Sequence, residues 1–180
     1  MLFRTWFVML ALLFAGGLNL LGQTPREYEV KAAFLYNFVQ FVEWPADAFL
    51  DAQSPVIIGI LGDDPFGASL DEIVRDEKVN SRPLVIRHYQ RVEDIKACQI
   101  LFISQSENWR LEEILAGLKD RSILTVGDTD GFARRGGMIR FVTENNKIRF
   151  RINVEAAKTA NLTISSKMLR LAEIVEPGKD

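Results

Sequence analysis

Three short runs of nearly unbroken apolar residues, Val56–Leu61, Ile100–Ile103 and Ile123–Val126, constrain this chain more than any other feature. Each is bounded by Gly, Pro, Ser or Asp and is too short to stand as a helix. A strand with one face in water alternates apolar and polar residues, so strands without alternation are buried on both faces, as in the middle of a parallel sheet. Leu84–Tyr89 reads as a fourth strand. Parallel strands need crossovers, and helical patterns lie between the runs. Phe66–Asp76 carries Leu70, Ile73 and Val74 on one side, and Trp109–Leu118 carries Leu111, Ile114, Leu115 and Leu118.

Upstream, Val30, Phe34, Phe38 and Phe41, flanked by Leu35, Val39 and Val42, recur at helical spacing between Arg26 and Trp44. Asn37, Gln40 and Glu43 form its polar stripe, and Pro45 stops it. That stripe lacks the Lys/Arg enrichment of a membrane-surface helix, so core packing is expected. Downstream the pattern changes. Ile148, Phe150 and Ile152 alternate with Lys147, Arg149 and Arg151, and Met138–Thr143 is also strand-like. Asn145-Asn146 supplies the positive backbone angles of a tight turn between them. Asn153 is placed to cap a helix over Val154–Ala160 and Asn161 to close it. Ser165 or Ser166 starts a final helix running through Ala172 and ending before Pro177. The expected fold is α/β: a central, mostly parallel sheet with helices on both faces and an antiparallel edge hairpin near the C-terminus.

The first residues read differently. Arg4, the apolar run Trp6–Ala15 and the small residues from Gly16 to Gly22 have the pattern of a secretory signal peptide. The expected organisation is a leader over residues 1–23 and one α/β domain over 24–180, with no direct membrane insertion after cleavage. The whole chain has a net charge of −2, and losing Arg4 makes the remainder slightly more acidic, which gives nucleic acid no broad foothold. Cys98 is the only cysteine, so no internal disulfide forms; its apolar setting reads as core.

Catalytic chemistry is sparse. His88 is the only histidine, which excludes a multi-histidine metal site, and no GxSxG elbow accompanies it. Gly62-Asp63-Asp64-Pro65-Phe66-Gly67 follows a strand and precedes a helix, where α/β proteins often hold phosphate, but its two aspartates repel one. Asp64 as helix cap and Pro65 as first helical residue account for that stretch. Gly127-Asp128-Thr129-Asp130-Gly131 resembles the start of a calcium loop without its later ligands, and reads as a turn with self-bonded aspartates. Arg134-Arg135 beside Gly136-Gly137 offers two guanidinium groups that fork onto a carboxylate or phosphate, or stay solvated. No metal or cofactor is expected. If the three strands run parallel, their ends gather Asp63, Ser104 and Asp128 into one possible pocket.

The chain resembles the YfiR-like family of small exported bacterial proteins. The resemblance is carried by Lys31-Ala32-Ala33-Phe34-Leu35-Tyr36-Asn37-Phe38 with Phe41-Val42-Glu43-Trp44-Pro45, and by Ile58-Gly59-Ile60-Leu61-Gly62-Asp63-Asp64-Pro65-Phe66-Gly67. It continues through Leu124-Thr125-Val126-Gly127-Asp128, Gly136-Gly137-Met138-Ile139 and the tail from Phe150 to Ala172. It implies a non-enzymatic periplasmic regulator that represses an inner-membrane diguanylate cyclase by contact, and so controls cyclic di-GMP signalling and biofilm formation. Relatives near the type repressor carry paired cysteines; the lone Cys98 departs from that pattern and leaves no internal disulfide for redox control.

The functional expectation is therefore a regulator, a homodimer, whose partner is the membrane-bound cyclase or a related sensor. Exposed charge points to Arg134, Arg135, Lys167 and Arg170 as contact residues. The alternative is a periplasmic module that binds a small ligand at Asp63, Ser104 and Asp128 and feeds a signalling system. No pair of carboxylates is singled out for hydrolase chemistry.

Overall fold

In a computed structural model that describes residues 24–176, the non-alternating runs become strands with every residue buried: β2 (Val56–Leu61), β5 (Ile100–Ile103) and β6 (Leu124–Gly127). The expected leader over 1–23 and the stop at Pro177 lie outside the described residues. The other strands are β1 (Val42–Glu43), β3 (Lys78–Val79), β4 (Arg82–Tyr89), β7 (Ile139–Glu144), β8 (Lys147–Ile152), β9 (Thr163–Ile164) and β10 (Glu173–Ile174). The α-helices are α1 (Thr24–Phe41), α2 (Ala68–Val74), α3 (Leu111–Gly117), α4 (Val154–Thr159) and α5 (Ser166–Leu169).

The main sheet has the order β10-β8-β7-β6-β5-β2-β4-β3, and the five strands from β7 to β4 are mutually parallel. Register aligns Ile58, Ile100 and Leu124 in one row and Leu61, Ile103 and Gly127 in another, so these strands end level with one another. Two cores follow. On one face Ile58, Ile60, Phe102 and Val126 lie under Leu35 and Phe38 of α1, Leu70 of α2 and Met168 of α5. On the other, Ile57, Leu61, Leu101 and Ile103 meet Leu111 and Ile114 of α3 together with Phe132. The α/β architecture with helices on both faces is as the sequence implies. β7 and β8 form the antiparallel hairpin, turned through Asn145 (φ 50°) and Asn146 (φ 59°), and the two-residue β10 flanks it.

Several local readings shift. In α1 the deepest apolar residues are Ala32, Leu35, Phe38 and Val39, whereas Val30 is 43% exposed. The buried stripe is rotated because the aromatic cluster of Phe34, Phe38, Phe141 and Phe150 sets how the helix lies on the hairpin. Asp64 bonds the amide of Phe66 at 2.7 Å, yet α2 starts later, at Ala68, because Gly67 takes a positive φ of 55°. A 3-10 turn over Gln105–Arg110 precedes α3. The last helix spans only Ser166–Leu169, and Glu173-Ile174 pairs with β8 instead. The edge of β8 offers backbone hydrogen bonds, including Val175 N to Ile152 O, that a helix end with Leu171 in solvent does not. Asn153 caps α4 through a 3.0 Å bond to Ala156 N, and Asn161 closes it with φ 59°. No described helix is long and apolar enough to cross a membrane.

Candidate functional site at the strand ends

Chain connections leave β2 toward β4 on one side and β5 toward β6 on the other, so a topological switch point lies between β2 and β5. Crevices outside such points are where open α/β sheets bind ligands. The structure brings Asp63, Ser104 and Asp128 to this one edge, because all three strands run parallel.

Protein side chains fill the edge. Ser104 Oγ accepts from Ser106 N and caps the 3-10 turn, whose Ser106 Oγ accepts from Asp63 N at 3.0 Å. Ser106 also donates to Glu107 Oε1 at 3.2 Å, and the buried Glu107 pairs with Arg110 at 2.6 Å. A Cβ on Gly62 would lie 2.4 Å from Ser106 Oγ and 2.6 Å from Glu107 Oε1, and its φ is +88°. Only glycine lets the turn close so tightly over β2.

Asp128 is filled from the other side. Its side chain is 3% exposed, and Oδ2 accepts from Lys31 Nζ at 2.6 Å and from the Tyr28 hydroxyl at 2.9 Å, both from α1. Lys31, itself 2% exposed, also reaches Glu27 at 2.7 Å. Burial first, and then the Asp128 charge and hydrogen bond, push the Tyr28 hydroxyl well above its ordinary range. Among the described residues, Asp128 Oδ1 has no hydrogen-bond partner. The expected self-bonded turn at 127–131 is therefore replaced by an ion pair to α1, while Asp130 turns outward to Arg140. Asp128 and Asp130 diverge rather than converge on one cation. The sequence did carry a trace of this: Lys31 stands in line with Leu35, Phe38 and Val42 on the buried stripe, a lone charge where the pattern asks for an apolar residue.

Arg135 is not solvated. Its Nε and Nη2 fork onto Glu112 at 2.6 and 2.9 Å, and it also donates to the side chain and carbonyl of Asn108. The Glu112 carboxyl is held at about 2, below its ordinary 4.5, chiefly by the hydrogen bond from Arg135. Because the folded carboxyl is the stronger acid, the unfolded chain binds more protons between those values. The stability this pair confers is present above about pH 4.5 and lost as pH falls toward 2. Arg135→Met is expected to flatten the pH dependence of urea stability in that window; an unchanged slope would show that the fork does not persist in solution.

Arg134 is exposed on the same loop, which Phe132 anchors in the core on the α3 side. Lys167 is exposed on α5 and Arg170 just past its end, while Met168 of the same helix packs into the opposite core. The structure thus places the two basic pairs on layers of opposite faces. His88 is exposed on β4 and lies 2.9 Å from Asp64. Cys98 is buried, and burial pushes its thiol up to about 12, which keeps it inert at neutral pH. A cleft of about 280 Å³ opens away from the strand ends, between the end of α3 and α4, lined by Leu115, Leu118, Ile123 and Met138 with Ala156 and Ala160.

No curated protein sequence matches the chain. A family model described as YfiR/HmsC-like matches residues 28–173, from the tyrosine that bonds Asp128 to the first residue of β10. That span takes in both cores, the strand-end ion pair and the hairpin, and the chain belongs to the YfiR/HmsC-like family.

Proposed function

We propose that this protein is an exported, non-enzymatic regulator that acts in the periplasm by protein contact, holding a membrane-bound diguanylate cyclase or related sensor inactive. Family membership over residues 28–173 carries the proposal. The strand-end crevice supports contact over ligand capture, since Tyr28, Lys31, Ser106 and Glu107 occupy the space a solute would take. Lys31 and Asp128 Oδ2 hold α1 in place, Ser104 and Ser106 hold the 3-10 turn, and the Asp63 side chain is exposed. A leader over residues 1–23 and a homodimeric state belong to the same proposal.

Deleting the gene is expected to raise cellular cyclic di-GMP and increase biofilm mass, with both restored by the intact chain. An unchanged cyclic di-GMP level, in cells shown to express the cyclase, would defeat the repressor role.

A further inference from the structure

One face of the β7–β8 hairpin is buried in a core; the other, among the described residues, joins neither core and is open at its turn end, where Lys147 and Arg149 are exposed. Ile139, Phe141, Phe150 and Ile152 enter the α1-side core, while the core on the α3 side contains no residue of β7, β8 or β10. Six side chains point to the open face: Arg140, Val142 and Glu144 from β7, and Lys147, Arg149 and Arg151 from β8. Four of these six are basic in a chain whose net charge is −2. Arg140 and Arg151 are directly opposite each other in register, as are Val142 and Arg149. Like charges in that relation repel unless anions lie between them.

The chain's own carboxylates show which chemistry the face accepts. Asp130 pairs with Arg140, Glu173 with Arg151 at 3.0 Å, and Glu144 reaches both Arg151 at 3.5 Å and Arg149 at 3.7 Å. At Arg140 and Arg151 the acids are the exposed members: Asp130 is 99%, Glu173 58% and Glu144 42% exposed, against 13% for Arg140 and 21% for Arg151, whereas Arg149 is itself 63% exposed. The guanidinium groups are fixed on a sheet, and the carboxylates reach them from the rim. The Arg149–Glu144 pair is exposed on both sides and contributes little, so an incoming carboxylate exchanges with Glu144 there at small cost. Lys147 and Arg149 are exposed at the turn end of the same face.

We propose that this open face of the hairpin is the partner-binding surface, and that it takes an acidic, carboxylate-rich segment of a protein. The proposal deepens the contact regulator and rests on it for the partner's identity, but not for the chemistry of the surface. A segment with Asp or Glu at alternate positions presents its charges on one side, matching cations that line one face of two strands. Fixed arginines lose little freedom when they bind, and forked pairs to carboxylates give register as well as attraction.

The test uses the purified protein with an oligoglutamate peptide, and separately with phosphatidylglycerol vesicles. Binding to the peptide should saturate, weaken with added salt, and fall about tenfold or more in Lys147→Glu/Arg149→Glu. Both positions are exposed, and circular dichroism checks that the variant folds. Lys96→Glu/Lys119→Glu makes an equal change of charge elsewhere on the surface. An equal loss in that variant, binding to vesicles alone, or no binding to either probe overturns the proposal. In cells, Lys147→Glu/Arg149→Glu at normal abundance should raise cyclic di-GMP as deletion does. If deletion raises it and the variant still represses, the surface is wrong and the regulator stands. If deletion changes nothing, the regulator falls and the peptide titration alone decides the surface.

Discussion

Lys31→Met is expected to destabilise the protein by about 3–5 kcal/mol, the cost of leaving one member of a buried ion pair without the other. Asp128 then keeps only the Tyr28 hydroxyl on Oδ2, with Oδ1 already unpartnered and the side chain 3% exposed. Methionine matches the lysine stem in volume and favours helix as well, so neither a cavity nor lost propensity contributes much. Lys31→Met/Asp128→Asn should regain most of the stability, since both charges are gone and an acceptor for Tyr28 remains. Urea unfolding of the three proteins checks this. A single variant within about 1 kcal/mol of the parent would mean that water reaches the pair and α1 is not clamped there.

Phe132→Ala should have an effect of similar size, about 3–5 kcal/mol, through the cavity it opens. Phe132 is fully buried between two glycines: a Cβ on Gly127 would lie 2.6 Å from its ring, and one on Gly137 2.1 Å. The ring occupies the space two side chains would need, and it pins the loop that carries Asp128 and Arg135. Its loss should speed hydrogen exchange at the amides of 129–137 more than in β2 or β5. Uniform acceleration across the molecule would show that the ring supports global stability without fixing the loop. Gly137→Ala tests the same packing from the other side and should also destabilise, because the ring has no room to withdraw.

The architecture could be read from the chain because strands buried on both faces leave an unmistakable mark: a strand cannot lose its alternation and keep a wet face. The paired asparagines at 145–146 and the cap at Asn153 were equally legible, being local chemistry between neighbours, and the sequence narrowed the last cap to Ser165 or Ser166, of which the structure uses Ser165. The limits of α2 and α5 were not, since both depend on what lies beside them: a glycine with positive φ for one and an open sheet edge for the other. The strand-end row of Asp63, Ser104 and Asp128 followed from topology alone. What fills it did not, because Lys31 and Asp128 are 97 residues apart and nothing local ties them. For Arg135 a fork onto a carboxylate and a solvated side chain both stayed open in the sequence, because Glu112, its partner, is 23 residues away on another element.

That separation also bears on how the chain reaches its native state. The clamp on α1 closes a loop that takes in β2, β4, β5 and β6, so burying Lys31 becomes favourable only after most of the parallel sheet has assembled. Docking of the first helix is thus a late step with a large loop to close, in a topology whose non-local pairings already slow folding. For the export proposed above, a polypeptide built this way would have little to hold it compact during passage, and would gain its full stability only once residue 128 had followed residue 31 across.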